Sequence, residues 1–239
     1  MSAKRALVTG STQGIGLAIA KRLVRDGYEV IVHCSHDAEK AERVAREIGA
    51  AGFATADLSD RAETLALHER TGDVEVLILN ASVQYKQTWQ EIGMEELDRQ
   101  IEVNLKSTLL LMQAYYPHMK AAGWGRIVTI GSVNEYRQHP ELPLYAATKC
   151  AVLSLVKNIA KQAVPYGVTV NNVAPGAIET PRNALVCADP IAKKAVEDCI
   201  PMGRFGTAEE CADAVAFLGG ESGKYITGTD LIVDGGMRL

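Results

Sequence analysis

"TGSTQGIG", Thr9 to Gly16, is the stretch on which the fold turns. Before it, Arg5 to Thr9 is a short apolar run of strand character; after it, apolar residues recur at intervals of three and four from Ile15 to Arg25, the period of a helix packed on one side. A glycine-rich turn between a strand and a helix lets backbone N–H groups and the helix N-terminus meet a pyrophosphate. The glycines, Gly10, Gly14 and Gly16, are spaced G-x-x-x-G-x-G, one residue longer than the G-x-G-x-x-G turn. Alone, such a turn could be a plain strand-to-helix connection.

The remainder of the chain repeats the same alternation. Tyr28 to Cys34, Gly52 to Ala56, Val74 to Asn80, Arg126 to Gly131, Val168 to Ala174 and Asp230 to Val233 read as further strands, with continuous apolar cores of the kind covered on both faces. Helical patterns fall between them, at Asp37 to Ile48, Met94 to Met119 and Tyr145 to Val164. This predicts an α/β fold: a doubly wound, Rossmann-type, mainly parallel seven-stranded sheet with helices on both faces, in a single domain over residues 1–239. One long irregular stretch, about 177–202, contains Pro181, Pro190 and Pro201 and reads as a substrate lid. Thr207 and Glu210 form a capping box that starts the last helix.

Composition excludes several classes. A charged share of 23% and a net charge of −4, spread without runs, leave no basic stripe for a nucleic acid. The opening Met1-Ser2-Ala3-Lys4-Arg5 has the charges of a signal peptide, but its apolar run ends at Thr9-Gly10, and no stretch approaches a membrane span, so the expected place is the cytoplasm. Five scattered cysteines without a C-x-x-C pair argue against a disulfide framework and against zinc. His33 and His36 lack further ligands at suitable spacing, so no metal is expected.

"YAATK", Tyr145 to Lys149, places a phenol and an ammonium four residues apart, hence on one face of a helix. A cation held beside a phenol favours phenolate and suits it to acid/base work near neutral pH. Ser132, at the C-terminal end of the fifth strand, lies where open sheets bind ligands. These residues, the altered glycine spacing and "NNVAPGAIET" downstream resemble the short-chain dehydrogenase/reductase family, in its compact single-domain form. Further matches are "DLSD" from Asp57, "NAS" from Asn80, "VNL" from Val103, "GRIVTIGS" ending at Ser132, "PMGRFG" from Pro201 and "YITGTDLIVDGG" from Tyr225, so the resemblance runs from Lys4 to Gly236.

The resemblance implies an NAD(P)-dependent oxidoreductase that reversibly transfers a hydride between a nicotinamide and a carbonyl or secondary alcohol. By it Tyr145 is the general acid/base, Ser132 polarises the carbonyl, Lys149 tunes Tyr145 and holds the nicotinamide ribose, and Asn104 completes a tetrad through a water-linked proton relay. Cofactor contacts are carried over to Gly10, Ser11, Thr12, Gln13, Gly14, Ile15 and Gly16 in the turn, and to Asp57 and Leu58 near the adenine. Asn80, Ala81 and Ser82 fall beside the adenosine ribose, and Pro175, Gly176, Ile178 and Thr180 around the carboxamide. The family's fourth strand usually ends N-N-A-G; here Leu79 removes a polar brace and Ser82 replaces a glycine.

At the end of the second strand no carboxylate awaits a ribose 2′-hydroxyl, while Ser35 and His36 could donate to a 2′-phosphate, so NADP(H) is favoured over NAD(H). Gln84, Asn134, Glu135 and Arg137 crowd the expected pocket rim with polar groups, which favours a small polar substrate such as a sugar, polyol or hydroxy acid. The alternative is a 3-oxoacyl thioester, whose acidic carrier protein would need basic residues where Gly123 and Tyr166 stand. A reading from another class, a silent dinucleotide sensor or scaffold, is set against the retained tyrosine and lysine. The resemblance also implies a homo-oligomer, a dimer of dimers.

Overall fold

A computed structural model describes residues 3–239; Met1 and Ser2, part of the segment weighed above as a leader, lie outside the described residues. The strands are β1 (Arg5–Val8), β2 (Glu29–Cys34), β3 (Gly52–Thr55), β4 (Val76–Leu79), β5 (Gly125–Ile130), β6 (Val168–Pro175) and β7 (Asp230–Val233). They form one sheet in the order β3-β2-β1-β4-β5-β6-β7, and every neighbouring pair runs parallel. The chain winds outward from β1 to β3, returns beside β1 as β4, and winds the other way. That reversal opens a crevice at the C-terminal ends of β1 and β4, where the glycine turn leaves the sheet.

Both faces are covered. The helices are α1 (Gly14–Arg25), α2 (Ala38–Ile48), α3 (Arg61–Thr71), α4 (Met94–Ile101), α5 (Ser107–Ala122), α6 (Pro143–Ala163), α7 (Ala184–Ala188), α8 (Pro190–Glu197) and α9 (Ala208–Gly219). Leu7 and Leu77 point into a core shared with Tyr115, Met119, Val152 and Val156. Their neighbours Ala6, Val8, Val76 and Ile78 point the other way, to Ile19, Leu23, Val215 and Leu218. Strands buried on both sides need apolar residues at successive positions, which is why no alternation marks them. Burying each such large side chain stabilises the fold by about 1.5–3 kcal/mol.

Two expectations are corrected. The pattern from Met94 to Met119 is not one regular helix: a π-helical turn, Glu102–Lys106, separates α4 from α5. Nor is 177–202 irregular, since it holds a 3-10 turn (Pro181–Asn183) followed by α7 and α8. Pro181 and Pro190 stand in the first turns of these elements, where a missing N–H costs nothing, so they start helical structure rather than break it. The capping box forms as read: Thr207 Oγ1 accepts from Glu210 N, and Glu210 Oε2 from Thr207 N at 2.8 Å. Among the described residues no helix is long and apolar enough to cross a membrane, and no group of three or more His, Cys, Asp or Glu is placed to hold a metal.

Candidate active site

A cleft of about 510 Å³ runs along the C-terminal edge of the sheet. At one end lies the glycine turn. Gly10 and Gly14 have φ of +62° and +56°, which only glycine adopts cheaply. A Cβ on Gly16 would stand 2.3 Å from Gly10 O, so the turn folds back on its own helix. Asn80 secures it, its Nδ2 donating to Thr9 O at 2.9 Å and Gly10 O at 3.0 Å. Thr9 Oγ1 in turn accepts from Asn80 N and Ala81 N. The wall here includes Gly10, Thr12, Gln13, Gly14, Ile15 and Gly16, ending at the N-terminus of α1, a cradle fit for an anion.

His33, weighed above only as a metal ligand, turns out to brace this cradle. Its Nδ1 accepts from Gly10 N at 3.0 Å and its Nε2 faces Ala56 O at 3.2 Å, which fixes the proton on Nε2. Burial pushes its pKa down to about 4, against the raising effect of the bond to Ala56, so the ring is neutral at physiological pH. Ser11 also departs from expectation. It is absent from the cleft wall because its Oγ accepts from His33 N at 2.9 Å, joining the turn to β2.

The end of the cleft expected to take the adenosine carries Ser35, Asp57, Leu58, Asn80, Ala81 and Ser82. Burial works to raise the Asp57 pKa, but hydrogen bonds from Ser59 N and Oγ, with the nearby charges of His36 and Arg99, hold it lowered. His36 does not line the cleft: its Nε2 lies 3.4 Å from Asp57 Oδ2. Sequence reasoning missed Arg99, which lines this end, and Lys40, whose Nζ donates to Gln13 Oε1 at 3.1 Å. Lys40 sits in the first turn of α2, six residues past the end of β2 and too far along the chain to be read as part of the strand end. The Asp37 carboxylate is spent as N-cap of α2, accepting from Lys40 N at 2.8 Å.

At the other end Ser132, Tyr145 and Lys149 share the wall with Pro175, Gly176, Ile178 and Thr180. Pro143 opens α6 and sets Tyr145 in its first turn, and Lys149 follows one turn later. Lys149 is 4% exposed; its Nζ donates to Ile130 O at 2.6 Å and stands 5.6 Å from the centre of the Tyr145 ring. Burial lowers the Lys149 pKa, Tyr145 acts to raise it, and Arg182 adds to the lowering. Ser132 caps the turn after β5, its Oγ accepting from Asn134 N at 3.2 Å.

Asn104 is buried behind this wall. Its Oδ1 accepts from Val83 N and its Nδ2 donates to Val83 O and Thr148 Oγ1, so its amide ties α6 to the loop after β4. None of these bonds reaches Lys149 directly. Asn104 lies in the π-helical turn, a device common at functional sites.

Of the rim residues, Gln84 and Asn134 line the cleft, as does His139 at the end of the same polar segment, joined by Lys86 and Arg182, which the sequence did not single out for it. Glu135 and Arg137 do not, and the expectation for both is corrected. The capping turn rotates Glu135 inward, where its carboxyl group meets Ser132 N, Asn172 and Asp230. One guanidinium nitrogen of Arg137 is buried without a partner. Leu79 packs into the core. Ser82 needs no left-handed backbone, since the described residues with positive φ are all glycines, and its carbonyl and Oγ accept from Arg182 Nη2 at 2.9 and 3.1 Å.

A glycine cradle at one end of an open-sheet crevice and a serine, tyrosine and lysine at the other define a dinucleotide-dependent oxidoreductase. Residues 10–238 match the family model described as enoyl-(acyl carrier protein) reductase. The chain is 36% identical to 3beta-hydroxysteroid dehydrogenase 1 of Eggerthella lenta over 248 residues, covering 100% of this chain and 95% of that one. A solved gluconate 5-dehydrogenase from Burkholderia cenocepacia, in complex with NADP and tartrate, superposes with a TM-score of 0.92 at 32% identity over 99% of this chain and 96% of its own. A 3-oxoacyl (acyl-carrier-protein) reductase from Agrobacterium tumefaciens with NADP bound gives 0.93 at 36% identity, covering 98% and 93%. The chain belongs to the short-chain dehydrogenase/reductase family.

Proposed function

We propose that this oxidoreductase transfers a hydride reversibly between NADP(H) and a small polar carbonyl or secondary alcohol, such as a sugar, polyol or hydroxy acid. The observation that carries the reading is the shared wall of Ser132, Tyr145 and Lys149, set among the polar side chains of Gln84, Lys86, Asn134, His139 and Arg182. Burying these groups against methylenes would leave them unpaired, which favours a hydroxylated or acid-bearing substrate. The likeness to a gluconate 5-dehydrogenase complexed with tartrate supports the same substrate class.

The cradle of Gly10, Gly14 and Gly16 fits a dinucleotide, because it lines the cleft and ends at the N-terminus of α1, whose first N–H groups have no side-chain cap. The nicotinamide, when bound, gives or takes the hydride. Tyr145 delivers a proton to the carbonyl oxygen, or removes it from the alcohol, at its phenolic oxygen. Ser132 donates to that same oxygen and polarises it. Lys149, held by Ile130 O, keeps a cation beside the phenol and reaches the ribose hydroxyls. Asn104 braces the loop that faces them. The segment 177–202 is proposed as the lid, with Arg182 bonding across the cleft to Ser82.

NADP(H) is favoured over NAD(H) because the end of β2 offers Ser35 and no free carboxylate, with the Lys40 ammonium close by at Gln13. The solved relatives with NADP bound support it. A homo-oligomer is proposed on the exposed apolar residues Phe217 and Tyr225, 43% and 101% accessible. The five cysteines are all unpaired, which fits the reducing cytoplasm.

A 3-oxoacyl thioester is the second reading, favoured by the relative that reduces one. The test is a panel assay of nicotinamide absorbance, with polyols, sugars and hydroxy acids in the oxidative direction and acetoacetyl thioesters in the reductive one. Turnover of a polar substrate supports the first reading. Efficient thioester reduction with no response to any polar substrate overturns it.

A further inference from the structure

Directly behind Ser132 lies a buried carboxyl cluster that the mechanism above does not use. Glu135, in the turn after β5, accepts from Ser132 N at 3.1 Å through Oε1. It faces Asp230, the first residue of β7, across the side-chain amide of Asn172. Asn172 of β6 bridges the two acids, its Nδ2 donating to Glu135 Oε2 at 3.2 Å and Asp230 Oδ1 at 2.8 Å. The Asn172 amide is oriented from below by Thr129 Oγ1, which donates to its Oδ1. Tyr136 OH donates to the other Asp230 oxygen, and Arg238 stacks over the Tyr136 ring at 5.6 Å.

Two carboxyl groups gathered on one buried amide nitrogen repel each other unless one of them holds a proton. Resting on the reading that Ser132, Tyr145 and Lys149 do the chemistry, we propose that Glu135 is a positioning residue: it shares one proton with Asp230 and thereby fixes the Ser132 turn and the charge that Lys149 feels. The groups facing Glu135 are Asp230 from β7, Asn172 from β6, Lys149 and Cys150 from α6, and Tyr136 from its own turn. Burial, and after it Asp230, raise the Glu135 pKa, the Ser132 N–H and Lys149 oppose the rise, and the balance lies at about 8. At neutral pH the pair therefore carries one negative charge. As pH climbs through about 8 it gains a second: the two carboxylates repel across Asn172, the Glu135 bond to Ser132 N tightens and pulls on that turn, and the added charge draws the field of Lys149 away from Tyr145.

The proton is read without substrate or cofactor, by infrared difference titration of the protonated carboxyl band between pH 7 and 9. The wild-type protein should lose such a band around pH 8, and Glu135→Gln should lack the change. In alcohol oxidation, loss of a proton from Tyr145 alone can only raise the rate. A fall of threefold or more in wild-type kcat between pH 7 and 9, absent in Glu135→Gln, therefore reports the carboxyl pair, whereas a merely structural role lowers kcat without changing the profile. If Glu135→Gln does not fold, Asp230→Asn serves, and should move the loss of the band to lower pH. No titrating band, or one unaltered by either substitution, overturns the proposal. An enzyme that turned over nothing would leave the infrared result standing and sink the functional reading alone.

Discussion

Gly10 N–H donates to His33 Nδ1 at 3.0 Å, so the first glycine of the cofactor turn is anchored to a neutral imidazole buried at the end of β2. An imidazolium could not accept that bond. In the unfolded chain His33 takes up its proton near 6.5, in the fold only at about 4. Between those values the unfolded state binds more protons, so stability falls as pH drops through that window and is unaffected by this group above it. The loss amounts to ~2 kcal/mol by pH 5 and ~3 kcal/mol below pH 4. Urea denaturation at pH 7 and pH 5 should reveal it, and His33→Gln should flatten the dependence by about that amount.

The second prediction concerns the same turn. A Cβ at residue 16 would stand 2.3 Å from Gly10 O and 2.5 Å from Asn80 Nδ2, one a backbone atom and the other an amide already bonded to Thr9 O and Gly10 O. Gly16→Ala must therefore push the turn open and break the Asn80 bonds. Overpacking of this kind typically costs ~1–3 kcal/mol. Thermal denaturation should show the loss, and calorimetric titration should show dinucleotide affinity reduced by more than tenfold. A variant of unchanged stability and affinity would mean the turn is not held as tightly as these contacts require.

The sequence made the sheet legible because strands buried on both faces and amphipathic helices leave strong local patterns. Asp230 to Val233 was bounded correctly from its apolar run alone. The π-helical turn around Asn104 was not, since its residues continue the apolar periodicity of α4 and α5 and differ only in backbone bonding. Prolines misled at 181 and 190, where they begin helices. At the site, Tyr145 and Lys149 could be placed on one face by helical spacing. Glu135 was misplaced because its capping bond to Ser132 N, a local signal of the kind read at Thr207 and Glu210, went unread, and because its other partner, Asn172, lies 37 residues away. His33 escaped for the same reason: its partner Gly10 is 23 residues earlier.

For the chemistry, Tyr145→Phe should reduce kcat by at least a thousandfold while dinucleotide affinity stays within about threefold, because the ring remains and only the proton-carrying oxygen goes. Lys149→Ala should damage both, since its Nζ stands 5.6 Å from the centre of the Tyr145 ring and Lys149 lines the wall proposed above for the nicotinamide ribose. Steady-state kinetics with fluorescence titration of the reduced cofactor separates the two effects. Near wild-type turnover in Tyr145→Phe would remove Tyr145 from the acid/base role.

The last prediction is cofactor choice, which rests on Ser35 and Lys40. Ser35 lines the end of the cleft proposed for the adenosine, the nearby Asp37 carboxylate is occupied as a helix cap, and Lys40 Nζ reaches the glycine turn at Gln13. A 2′-phosphate arriving there meets donors and a cation, whereas a bare 2′-hydroxyl finds no free acid to bind it. One charge-assisted hydrogen bond contributes about 1.5–3 kcal/mol, so kcat/KM should favour NADPH over NADH by roughly tenfold or more. Lys40→Ala should lower that preference several-fold while leaving the NADH value nearly unchanged. Ser35→Asp should invert it, by binding the hydroxyl and repelling the phosphate. Parallel initial-rate measurements with both reduced cofactors decide the matter, and a wild-type preference for NADH would show that this pocket selects by contacts other than these two.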